Sequence, residues 1–233
     1  MSWREDAKRK AATKAASHIK DGFTVGLGSG TTVAYALQEI AKRIAEEELH
    51  ILGVPTSRQT YYLALKQHIP LTTLDEHPQL DITIDGADQV SRDLNMIKGM
   101  GGALTREKIV ASASKKTIYA IDETKLTEKL GANQPVPLEV VPFALPAVTG
   151  KLQSLDSKPV LREAERKLGP VITDNGNFIL DAYFGPIDSP KDLNRTLKLI
   201  SGIVETGLFV EIANIVYVGG RNTVRRLESR LVS

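Results

Sequence analysis

The sequence predicts an α/β protein: a parallel-sheet main domain with helices on both faces, joined to a smaller α+β domain. Two observations carry this. Through the first half, short apolar runs alternate with longer segments of helical periodicity, the rhythm of strand–helix–strand units. From Asn133 the stretch NQPVPLEVVPFALP breaks that rhythm with four prolines, a composition that argues against one continuous central helix or strand and marks a domain boundary.

The elements follow in order. From Arg4 to about Lys20 the chain is mostly Ala, Lys and Arg, which favours helix, and Gly22 provides a stop. Phe23 to Leu27 is a short apolar run closed by Gly28, Ser29 and Gly30, after which Thr31 to Glu48 regains helical periodicity. Further strands are expected at His50–Val54, Asp81–Asp85 and Thr117–Asp122, with helices near Arg58–Gln67 and Thr105–Ser114. Beyond the prolines come a helix near Val148–Leu155, a strand near Val160–Glu165 and strands on either side of the turn Asp174-Asn175-Gly176. A helix near Pro190–Ile200 and a strand near Gly202–Thr206 complete the small domain. Ile215–Val218 is expected to return to the first sheet, followed by Gly219-Gly220 and a basic helix. The domains are therefore drawn as 1–132 with 207–233, and 133–206.

Composition narrows the function. The 233 residues, 42% hydrophobic and 25% charged, suit a folded globular enzyme. A net charge of +2 does not call for nucleic acid as a partner and suits attraction of a phosphorylated metabolite. The chain has no cysteine, so thiolate chemistry, disulfides and cysteine-ligated zinc are excluded. The first twenty residues lack the apolar core of a signal peptide, which points to the cytoplasm. No apolar run approaches the roughly 18 residues of a spanning helix, so no membrane association is expected.

Two glycine-rich turns stand out. Gly26-Leu27-Gly28-Ser29-Gly30-Thr31-Thr32 joins a predicted strand to a predicted helix, where free amides and the helix dipole attract an anion and the hydroxyls of Ser29, Thr31 and Thr32 add donors. It lacks the third spaced glycine of a dinucleotide fingerprint and the G-K-[ST] of a nucleotide triphosphate loop. A small phosphate ester suits it better. The second turn, Lys98-Gly99-Met100-Gly101-Gly102, lies between Asp85-Gly86-Ala87-Asp88 and Thr105-Arg106-Glu107-Lys108. Carboxylates accept and return protons and a lysine stabilises an oxyanion, so this segment suggests proton transfer without a cofactor. Asp-Gly is also ordinary turn chemistry, and a first-turn Glu is ordinary helix electrostatics. Asp85, Asp88 and Glu107 could alternatively hold magnesium, although Lys98 opposes a cation there, and Lys98 could form a Schiff base. The four histidines show no metal spacing.

At these residues the sequence resembles the ribose 5-phosphate isomerase family, type A. GLGSGTT (26–32), IDGAD (84–88), IKGMGGALTREKI (97–109), IDETK (121–125), VPLEVVP (136–142), GLFVE (207–211) and VYVGG (216–220) carry the resemblance in the same order. Met100 stands where the family has a third consecutive glycine, which bears on the shape of that turn. The resemblance implies a Rossmann-like main domain with a ferredoxin-like smaller one, assembled as a homodimer or homotetramer. It implies interconversion of D-ribose 5-phosphate and D-ribulose 5-phosphate in the pentose phosphate pathway, without metal or organic cofactor. Glu107 would be the base that moves the proton between C2 and C1 through an enediolate. Asp85 would assist ring opening, Lys98 would stabilise the enediolate oxygen and Asp88 would order the site. Substrate contacts would come from Ser29, Gly30, Thr31 and Thr32, from Asp85, Gly86, Ala87 and Asp88, and from Lys98, Gly99, Met100 and Gly101. Lys125 matches a binding position at a strand end, and Lys8 another within the first, basic helix.

Two other functions share parts of the pattern. A sugar-phosphate sensor domain would use the first loop alone, but the chain begins only about two dozen residues before it, which leaves no space for a helix-turn-helix module upstream. An amino-sugar phosphate deaminase would share the acid–base steps and be recognised by release of ammonia.

Overall fold

The computed structural model describes residues 2–229, arranged as two compact units. Among these residues the first comprises 2–87, 106–125 and 211–229; the second comprises 88–105 and 126–210.

The first unit opens with α1 (Trp3–Ala16), started by a capping box in which Ser2 and Glu5 satisfy each other's backbone donors. Its inner face is alanine throughout, with Ala7, Ala11, Ala12, Ala15 and Ala16 all buried, so the backbone lies close to its neighbours. A Cβ at Gly219 would stand 2.1 Å from the Ala7 carbonyl oxygen, which is why glycine is needed there. The chain continues through β1 (Thr24–Leu27), α2 (Thr31–Glu47), β2 (Leu52–Pro55), α3 (Arg58–Lys66) and β3 (Ile82–Asp85). After an excursion into the second unit it returns in α4 (Leu104–Ser112) and β6 (Thr117–Asp122), and finally as β12 (Ile215–Gly219) and β13 (Val224–Glu228). The six strands lie in the order β13-β12-β6-β3-β1-β2, all parallel except β13. Alternate residues serve opposite faces. Val25, Leu27, Ile82, Ile84, Ile118 and Ala120 pack with α1 and α2, whereas Gly26 and Thr83 face the other way, where a Cβ on Gly26 would strike Val110 of α4. Strand order reverses beside β1: β2 lies on one side and β3 on the other. Open sheets bind ligands at the carboxyl ends of such a pair.

The second unit holds two antiparallel sheets. β4 (Gln89–Val90), β5 (Met96–Ile97) and β11 (Leu208–Phe209) form a three-stranded sheet in the order β11-β5-β4. The other runs β7 (Val136–Val140), α5 (Leu145–Gln153), β8 (Lys158–Leu161), β9 (Phe178–Tyr183), α6 (Pro190–Lys198) and β10 (Ile203–Thr206), with strand order β10-β7-β9-β8. This βαββαβ succession is the ferredoxin-like arrangement. Val136, Leu138, Val140, Leu180 and Ala182 bury one sheet face against Val148, Leu152 and Leu197 of the helices.

Four expectations are corrected. The proline-rich stretch does contain a central strand, β7. The Pro137 carbonyl accepts from the Gly207 amide, so its missing N–H falls on the same side, beyond the last β10 pair, Thr206 with Leu138. The expected basic C-terminal helix is instead β13, an edge strand whose Arg225 and Arg226 are exposed and whose hairpin closes from the Gly220 amide to the Thr223 carbonyl; residues 230–233 of that expected helix lie outside the described residues. The units divide at 87/88, 105/106, 125/126 and 210/211 rather than near 132 and 207, because β4 and β5 pair with β11 of the second unit. Before the 174–176 turn there is an isolated bridge, Ile172 with Phe178, in place of a strand.

Candidate active site

In the first unit the site grows from the ends of β1 and β3. The Gly28 amide donates to the Ile84 carbonyl (2.9 Å), holding the strand ends together as the chain turns. Asp85 is buried, and its Oδ1 accepts from the amides of Gly86 (2.7 Å) and Ser29 (3.2 Å), so the carboxylate is bound directly to the first glycine turn. Gly30 caps α2 with φ of 97°, a left-handed conformation that suits glycine, and offers no side-chain cap to the helix amides. The first turn of α2 has no acidic residue, so its dipole stays available to an anion.

The hydroxyls divide in their roles. Ser29 Oγ turns inward, 2.9 Å from Thr56 Oγ1 and 2.7 Å from Ser57 Oγ, while Thr60 Oγ1 donates to the Gly28 carbonyl (2.7 Å). Ser29 therefore braces the turn with its side chain. Thr31 is exposed, and Lys8 Nζ donates to its Oγ1 at 3.2 Å, bringing that lysine of α1 to the loop. Thr32 lies beside Gly86: a Cβ on that glycine would be 3.8 Å from the Thr32 Cβ. Lys125 ends a 3₁₀ turn (Glu123–Lys125) after β6, itself tied by Asp122 Oδ1 accepting from the Thr124 amide at 3.0 Å.

Glu107 sits buried in the first turn of α4. Beside Asp85 stands a residue with no motif to announce it. Tyr119 of β6 pairs in register with Asp85 of β3 and is completely buried. Burial, reinforced by the negative charges of Asp85 and Glu107, pushes its phenol well above the ordinary value and keeps it neutral.

The second unit carries Asp88, Lys98 and the second glycine turn. The Asp88 amide donates to the Ile97 carbonyl (3.0 Å), and its Oδ2 accepts from the Met100 amide (3.0 Å). Lys98 is buried, its backbone held by the Gly207 carbonyl (2.8 Å) and its Nζ 5.4 Å from the centre of the Phe209 ring, a cation–π distance. Gly99 and Gly102 adopt positive φ of 109° and 76°, and the Gly102 amide closes the turn on the Gly99 carbonyl (3.0 Å). Met100 is not among the positive-φ residues, so the turn accepts a side chain where the family has glycine. Gly101 has open space around a Cβ. Arg162 and Asp181, which brace this turn from a distant part of the chain, sit in no local motif that would announce them.

Ala87 and Thr105 are the last residues before the chain changes unit, so both crossings fall inside the segment Asp85–Glu107. Among the described residues no three His, Asp or Glu side chains gather as a metal site, and no helix is long and apolar enough to cross a membrane.

Comparison with known proteins shows the family and the fold. The family described as Ribose 5-phosphate isomerase A (phosphoriboisomerase A) matches residues 52–223. Ribose-5-phosphate isomerase A of Thermococcus kodakarensis is 46% identical over 96% of this chain and 98% of its own, and that of Methanococcus aeolicus 45% identical over 91% and 90%. A D-ribose-5-phosphate isomerase solved in complex with phospho-erythronic acid superposes with a TM-score of 0.95 at 44% identity, covering 98% of this chain and all of its own. Ribose 5-phosphate isomerase A of Methanocaldococcus jannaschii superposes at 0.93 with 43% identity, covering 96% and 99%. With the family matched over most of its length, and relatives alike in sequence and fold from end to end, the chain belongs to the ribose 5-phosphate isomerase A family.

Proposed function

We propose that the chain interconverts D-ribose 5-phosphate and D-ribulose 5-phosphate by moving one proton through an enediolate. The observation that carries the proposal is the binding of Asp85 to the first glycine turn through the Ser29 amide, which joins an acid–base group to an anion-binding helix start. The complex of a relative with phospho-erythronic acid supports a phosphorylated sugar as ligand.

In this mechanism the α2 amides, Thr31, Thr32 and Lys8 take the phosphate, and Lys125 adds a further cation. Asp85 moves a proton at the sugar oxygens as the ring opens. Glu107 removes the C2 proton of the open-chain aldose and returns it to C1, while a proton passes between the two oxygens to complete the ketose. Lys98 stabilises the enediolate oxygen, and Asp88 orders the Gly99-Met100-Gly101 turn through the Met100 amide. A positioned base contributes about 10²–10⁴-fold to such a step, and charges aimed at the developing oxyanion a few kcal/mol more. The enzyme works in the cytoplasm, as a homodimer or homotetramer.

The test is NMR of the purified protein with D-ribose 5-phosphate in D₂O containing excess EDTA. Ribulose 5-phosphate should form, with deuterium entering beside the carbonyl. A folded sample that gives neither product nor exchange refutes the proposal.

A further inference from the structure

The antiparallel sheet of the second unit has two unlike faces. Residues opposite one another on neighbouring strands share a face. Pro137 therefore lies beside Asp181, and Glu139 beside Ile179, on the face away from the helices. Two acids on a sheet face are costly unless something occupies them. Both are occupied, and what they hold leads to the second glycine turn. Glu139 Oε2 accepts from Thr105 Oγ1 (2.5 Å), while its Oε1 accepts from Thr173 Oγ1, Asn175 Nδ2 and Asn177 Nδ2. Asp181 accepts from Arg162 through both oxygens, at 2.7 Å from Nε and 2.5 Å from Nη2. The remaining arm of the guanidinium, Nη1, donates to the carbonyls of Gly99 and Met100, each at 2.9 Å.

We propose that Arg162, locked by Asp181, is a positioning residue for the isomerisation, holding the turn that follows Lys98 in its working shape. The inference rests on the function proposed above. The N–H and C=O of a trans peptide point in opposite directions. With the Gly99 carbonyl on Arg162, the amide of the same peptide, that of Met100, is turned to Asp88 Oδ2. With the Met100 carbonyl also on Arg162, the Gly101 amide is turned away from the guanidinium. One planar cation thus sets two successive peptides and, through them, the residue just before them, Lys98. Lysine cannot substitute: an ammonium can pair with Asp181 but lacks the rigid fork that reaches a carboxylate and two carbonyls together. Gly99 needs its own conformation for this, since a Cβ there would meet Leu104 and Pro137 at 3.0–3.1 Å.

The test compares Arg162→Lys and Asp181→Asn with the unaltered protein in three measurements: thermal unfolding, kcat and KM for D-ribose 5-phosphate, and hydrogen exchange of assigned amides. Arg162→Lys keeps the ion pair, so a purely structural role would be rescued by it. We expect folding to be retained, kcat to fall about tenfold or more and KM to change much less, because the turn carries a group that acts on the intermediate. The Met100 and Gly102 amides should exchange about tenfold faster while those of β7 and β9 keep their protection. Asp181→Asn should move both readouts in the same direction by a smaller amount. Unchanged kcat in Arg162→Lys overturns the proposal, as does unchanged exchange at Met100 and Gly102. Absence of turnover in the unaltered protein refutes the isomerase function instead, and exchange then decides whether Arg162 holds the turn.

Discussion

Gly28 and Asp85 occupy one another's space: a Cβ built on the glycine would stand 2.1 Å from Oδ1 of the carboxylate. The chain at the end of β1 can approach the end of β3 this closely only without a side chain, and the closeness lets the Ser29 amide reach Asp85. Gly28→Ala should therefore displace Asp85. A loss of kcat/KM on the order of 100-fold is expected from a shift of about 1 Å at a reacting group, with a stability loss of about 1–3 kcal/mol from overpacking. Steady-state kinetics and chemical denaturation check both, and an alanine variant with full activity would show that the carboxylate need not sit there.

Glu107→Gln keeps the shape of the first turn of α4 and removes the carboxylate proposed as the base. Its kcat should fall by about 10²–10⁴-fold, while calorimetric titration with a non-reacting sugar phosphate gives an affinity close to that of the unaltered protein. Near-normal turnover would assign the proton transfer to another group.

Lys8→Met removes the ammonium that reaches Thr31 Oγ1. If that pair holds the phosphate, KM should rise about tenfold with little change in kcat, in line with one charge-assisted hydrogen bond. An unchanged KM would place the phosphate elsewhere.

Tyr119 gives a prediction in pH. Its phenol is raised in the folded state above its unfolded value of about 10 by burial and by Asp85 and Glu107. Up to about pH 9 the phenol is protonated in both states, so its contribution to stability is constant. Above that the unfolded chain releases the proton and the folded chain does not, so stability falls as pH rises towards the folded value. Tyr119→Phe should remove this component, making urea-unfolding free energies decline less steeply between pH 9.5 and 11. Parallel declines in the two proteins would refute it.

Glu139→Leu removes the acceptor shared by Thr105, Thr173, Asn175 and Asn177 and leaves their donors without it. A buried bond lost in this way costs about 1–3 kcal/mol, measurable by denaturation. A variant of unchanged stability would show that the cluster rearranges freely.

By itself the sequence determined the local parts. Apolar runs and glycine turns placed β1, β3 and β6, and the order of GLGSGTT, IDGAD, IKGMGGALTREKI and IDETK named the family. These are short-range properties, fixed by periodicity, φ preference and residue type within a few positions. Tertiary structure decided whatever depends on partners far along the chain. Pro137 enters a central strand because its missing donor falls past the end of β10. Val224–Glu228 becomes a strand because β12 offers an edge. Ser29 turns inward because Thr56 and Ser57 lie beneath it. Tyr119 meets Asp85 through strand register, and Arg162 meets Gly99 across 63 positions of sequence. No local pattern encodes such pairs, because their energy exists only once the sheets have brought the two segments together.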